Sequence, residues 1–116
     1  MTIPPEINSL VESLNQQLDE IEYEAAKGQN LARMILDKFP NNASLVQFFA
    51  TFSNALLFVE VERRRIKSIL ENISLLDTVT DADIKELGED LSAEMGRILE
   101  TKSIIVNLKQ RLESLL

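Results

Sequence analysis

"ASLVQFFATFSNALLFVEVERRR", residues 43–65, stays apolar for most of its length and then turns abruptly basic. Whether this stretch crosses a membrane, fills a core or waits for a partner decides the fold. The uncharged run from Pro40 to Val59 only just reaches the ~20 residues of a spanning helix. It also contains Asn, Gln, Ser and Thr, so membrane insertion fits poorly. On a helical wheel at about 100° per residue, the stretch resolves into two faces. Leu45, Phe48, Phe49, Phe52, Ala55, Leu56 and Val59 share one arc, as a core-facing helix requires. Val46, Ala50, Leu57 and Val61, with Phe58 close by, form a second apolar stripe on the side that a small bundle leaves wet. Farther along, the same line becomes Arg64, Ser68 and Glu71, so the stripe is confined to the first half of its helix.

Working toward the N-terminus, Ile7, Val11, Leu14, Leu18, Ile21, Ala25, Gly28, Ala32, Ile35 and Phe39 alternate four- and three-residue steps. That is a heptad seam of the coiled-coil type. Pro4 and Pro5 suit a first helical turn, and Pro40 ends the helix just before it. Asn41 or Asn42 is placed to cap the next helix, whose seam reads Leu45, Phe49, Phe52, Leu56, Val59, Ile66, Leu70 and Ile73, broken only by Arg63. Thr80 and Asp83 resemble a capping box with Asp in place of Glu. They open a third helix carrying Ile84, Leu87, Leu91, Ile98, Ile105, Leu108, Leu112 and Leu115.

The predicted fold is therefore all-α: an antiparallel up-down-up bundle of three long helices, about 5–39, 42–74 and 81–115, because short connections force antiparallel neighbours. A chain of 116 residues with three Gly and three Pro reads as one domain, 1–116, built from few, long elements. Folding at residue 41 sets Ala25, Gly28 and Ala32 opposite Phe48, Phe49 and Phe52, so rings face small residues. The second apolar stripe predicts pairing of the bundle into a larger one by dimerisation.

Composition excludes several chemistries. The chain has no Cys, His or Trp, which removes disulfides, thiolate catalysis, imidazole acid/base work and a Cys/His zinc site. No Gly-rich phosphate loop or nucleophile elbow occurs, so no enzyme activity and no cofactor is expected. Asp19, Glu20, Glu22 and Glu24, and again Glu86, Glu89, Asp90 and Glu94, cluster on helices. A di-iron bundle also needs Glu-x-x-His pairs, so both clusters read as solvated faces. A net charge of −7 opposes nucleic-acid binding. The lack of a basic n-region followed by an apolar one predicts no signal peptide, and a cytoplasmic protein is expected.

Arg63, the break in the second seam, is expected to meet Glu94, a polar break in the third, as a structural ion pair at the bundle centre. The expected function is a non-enzymatic interaction module, a scaffold or adaptor that self-associates through Val46, Ala50, Leu57, Phe58 and Val61. Its expected partner is itself or another protein, with no nucleic acid, membrane or small-molecule substrate. Two other readings stay open: an acidic inhibitor or immunity-type protein covering a basic partner, and a binder of apolar, lipid-like ligands.

Overall fold

The computed structural model describes residues 3–116. Its elements are α1 (Pro5–Lys38), α2 (Ala43–Ser74) and α3 (Asp81–Ser114). They pack as the all-α, up-down-up bundle that the seams predict. The molecule measures 60 × 20 × 15 Å, the shape expected when 34-residue helices of about 50 Å lie side by side. α1 lies close against both other helices, whereas α2 and α3 approach each other less closely. α1 is thus the common partner, and the α2–α3 seam is the thin one.

Local chemistry fixes the boundaries. α1 ends at Lys38, one residue earlier than expected, because Phe39 precedes Pro40 and takes a non-helical conformation of φ −131° and ψ 66°. Phe39 therefore leaves the seam and stands 60% exposed. The Asn42 side chain accepts a hydrogen bond from the Leu45 N–H at 3.1 Å, so Asn42 caps α2 instead of joining it. At the start of α3 the Thr80 hydroxyl accepts from the Asp83 N–H at 3.1 Å, while the Asp83 carboxylate accepts from the Thr80 N–H at 2.9 Å. The capping box is complete with Asp in the Glu position. Leu115 lies beyond the last helical residue and is exposed, so the third seam ends at Leu112.

One continuous core runs through the bundle, from Ile7, Leu14, Leu18 and Ile21 of α1 to Phe52, Val59 and Ile66 of α2 and Leu91, Ile98 and Ile105 of α3. Gly28 lies directly beneath Phe52: a Cβ there would overlap the far edge of the ring and come within 2.7 Å of Cδ1. Absence of a side chain at Gly28 is what lets the fully buried Phe52 ring pack against α1 there.

Candidate functional site

Two features stand apart from ordinary core packing: the outward stripe of α2 and a polar layer in the thin α2–α3 seam. In the stripe, Val46, Leu57 and Val61 are 51%, 59% and 41% exposed, and Ala50 is exposed with them. They occupy the side of α2 opposite Leu45, Phe52 and Val59. Phe58 differs from the other four, being half-buried and packed against the core. An 18-residue window of α2 reaches a mean hydropathy of 1.4, enough by composition and length to cross a bilayer. In this fold the same helix supplies the largest buried side chain of the core, Phe52.

The ion pair expected between Arg63 and Glu94 does not form. Arg63 leans toward α1, where its two terminal nitrogens donate to Asp19 and Glu22, each at 2.7 Å. The hydrogen bond to Glu22, and after it that to Asp19, raises the Arg63 pKa further above its ordinary value. The residue that enters the interior is its neighbour Glu62, 2% exposed, and Glu94 faces it at 5% exposed. Adjacent residues on a helix point about 100° apart, so one position decides which helix a side chain meets.

Glu62 and Glu94 bring two buried carboxyls against each other across the seam, and one proton shared between them relieves their repulsion. Both arginines of the layer commit to Glu94: Arg97 of α3 pairs with its Oε1, and Arg65 of α2 approaches the same oxygen at 3.6 Å. Burial, followed by the hydrogen bond and charge of Glu94, pushes the Glu62 carboxyl up to about 7. Burial would also raise Glu94, but the hydrogen bond from Glu62 and the pairing with Arg97 and Arg65 outweigh it and hold Glu94 below its usual value. Glu62 is accordingly the acid of the pair and Glu94 the carboxylate. Oε2 of each is buried with no N–H donor to it, which leaves a shared proton to satisfy the pair.

The acidic run of α1 is not a free solvated face. Asp19 and Glu22 hold Arg63 of α2, while Glu20 and Glu24 hold Lys102 and Lys109 of α3. Gln17 also accepts from Lys102, at 2.9 Å. Alternate carboxylates along α1 thus tie it to each neighbour in turn. In the second acidic cluster Glu86, Glu89 and Asp90 are exposed and Glu94 alone is buried. Among the described residues no three Asp or Glu side chains converge as a metal site would need.

The sequence carries a partial signal for the polar layer: the spacing E-x-x-R occurs at Glu62–Arg65 and at Glu94–Arg97, though also at Glu60–Arg63, whose arginine turns to α1. Residues three apart share a helix face, and antiparallel packing brings the first two motifs together. Comparison with known proteins adds nothing to these assignments: no family model, no curated protein and no solved structure matches the chain.

Proposed function

We propose that this chain is a non-enzymatic interaction module that self-associates through the outward face of α2. One observation carries the reading: Val46, Ala50, Leu57 and Val61 set exposed apolar side chains along one face of α2, interrupted only by Asn54, on a helix whose opposite face already fills the core. Contiguous apolar surface of this kind marks interaction sites more often than chance. A twofold contact lets one patch cover its own copy. Small Ala50, one turn from the start of the line, allows two α2 helices to approach closely there.

The line spans Val46 to Val61, about 24 Å of helix. Pairing two such faces buries on the order of 1,000 Å² in total, the low end for specific interfaces. The proposed dimer is therefore reversible and concentration-dependent, with Arg64 and Glu71 marking where the apolar face gives way to charge.

Light scattering across a concentration series tests it. The wild-type mass should rise toward twice 13.1 kDa, and Leu57→Asp should hold it at the monomer while leaving the helical signal intact. A chain that stays monomeric throughout removes the proposal. A second reading, binding of an apolar ligand, draws on a cleft of about 320 Å³ at the α1–α2 turn, lined by Ile35, Phe39, Leu45, Phe48 and Leu115. Under that reading, native mass spectrometry of the purified protein shows an added apolar mass that Phe48→Asp abolishes.

A further inference from the structure

We infer that Glu62, Arg65, Glu94 and Arg97 form a proton-operated latch on the α2–α3 seam: closed while the two carboxyls share a proton, slackened when that proton leaves. In the closed state two links cross the seam. The proton held by Glu62 is shared with the buried Glu94 carboxylate that faces it, and Arg65 reaches from α2 to Glu94 Oε1 at 3.6 Å. Arg97 anchors Glu94 from its own helix, three residues away.

Loss of the proton to solvent changes what each arginine must do. Two carboxylates then face each other in a site from which water is nearly excluded, each with one buried oxygen that no N–H donor reaches. Arg65 lies three residues from Glu62 on α2, within reach of it. It is half-exposed, so it is free to turn. Turning back to Glu62 neutralises both helices separately, as Glu62 with Arg65 and Glu94 with Arg97. Both links across the seam are lost in that exchange, and repulsion between the carboxylates replaces them.

Among the described residues no other charge stands out in the layer. On α1, Asp19 and Glu22 are held by Arg63, and Glu20 by Lys102 of α3. The charged groups felt by Glu62 are Glu94, Arg65 and Arg97. The seam is also the one with least other contact to hold it shut.

The direction with pH follows from proton counting. Glu62 holds its proton to about pH 7 in the folded chain, against an ordinary value of 4.5 when exposed. Between those values the folded state binds more protons than the unfolded one, so stability falls as pH rises across the window. The contribution is whole below about pH 4.5 and gone above about pH 7. Glu94, held low, acts oppositely: what it adds is present above its ordinary value of 4.5 and is lost only as the pH drops below that.

Three measurements test the latch in the full chain. Carbon-detected NMR of the side-chain carboxyls should find one Glu, assigned to Glu62 by its loss in Glu62→Gln, titrating near neutrality. The wild-type urea midpoint should fall between about pH 5.5 and about pH 8.5, whereas Glu62→Gln, whose amide donates to Glu94 at every pH, should show no such fall. Spin labels on cysteines at exposed Ser68 and Ala93, in a chain with no native Cys, should report a longer and broader α2–α3 separation at the higher pH only when Glu62 is present. An ordinary Glu62 titration overturns the inference even if no variant folds. So does a label separation that does not change with pH, which would make the pair a fixed structural layer.

Discussion

Gly28→Ala is the most discriminating change available in this bundle, because two opposed effects of known size meet at one site. In an unobstructed helix interior, Gly→Ala stabilises by about 1 kcal/mol. Gly96 provides that case, with nothing within 4 Å of a Cβ built there, and Gly88 nearly so, with Ile7 Cδ1 at 3.7 Å. At Gly28 the new methyl group overlaps Phe52 and lies 2.7 Å from Cδ1, about 1 Å inside normal carbon contact. Phe52 is fully buried, so the ring has no solvent to retreat into. Overpacking of a well-filled core costs typically 1–3 kcal/mol, occasionally more, and an overlap this deep belongs at the upper end. After the helix gain is subtracted, Gly28→Ala should destabilise by about 1–2 kcal/mol.

With an unfolding entropy of about 2.1 cal/mol/K per residue, that is a fall in Tm of roughly 4–8 °C for a chain of this length. Gly96→Ala should instead raise Tm by about 4 °C. Circular dichroism melts at one fixed protein concentration compare them, the concentration being held because self-association would itself shift Tm. Phe52→Leu closes the cycle: it costs stability alone by leaving a cavity, but combined with Gly28→Ala it should cost less than the two singles together. Equal stabilisation by Gly28→Ala and Gly96→Ala would refute the packing argument, as would strict additivity with Phe52→Leu.

Other changes separate the polar contacts. Arg63→Glu should destabilise by about 1 kcal/mol through repulsion from Asp19 and Glu22. Reversal of Glu94 should not restore it, whereas Asp19→Lys with Glu22→Lys should, read by urea denaturation. Thr80→Ala removes the acceptor for the Asp83 N–H and should cost about 1 kcal/mol, with hydrogen exchange accelerated first at the start of α3.

The seams and caps were legible because they are local. Heptad steps, Pro at the helix ends, Asn42 and the Thr80–Asp83 pair each act within a turn or two of their own position. What misled the reading was the second neighbour. A two-stranded template gives each helix one central column and one flank, and Arg63 fell on that flank. In a three-helix bundle every helix faces two partners and needs two flanks. On α2 the central column is Leu45, Phe52, Val59, Ile66 and Ile73. Of the positions three residues beyond it, Ala55 and Glu62 are buried as well, Phe48 and Ile69 are half-buried, and Glu62 meets α3. Those four beyond, Phe49 and Arg63 among them, turn to α1, where Phe49 packs under Arg33 and Arg63 meets Asp19. On α3 the same offset sends Glu94 to α2 and sends Lys102 and Lys109 to α1. A sequence seam shows that position 62 or 63 is interior, but only the third helix decides which.

The same geometry explains how a seam with a titrating pair can slacken without unfolding the chain. α1 lies close against both other helices and is tied to each by alternate carboxylates of one acidic run: Asp19 and Glu22 to α2, Glu20 and Glu24 to α3. Loss of the cross-links at Glu62 and Glu94 therefore leaves α2 and α3 each docked on α1, with Phe52 still seated over Gly28. Motion is confined to the α2–α3 separation, on the side of α2 that borders the outward stripe through Phe58. If α2 pairs with a second copy there, the latch sets the angle at which Val61 and Leu57 are presented. Self-association and seam protonation should then be linked, and the dimer midpoint in wild type but not in Glu62→Gln should shift between about pH 5.5 and about pH 8.5. Identical shifts in both chains would separate the two devices and leave each to stand alone.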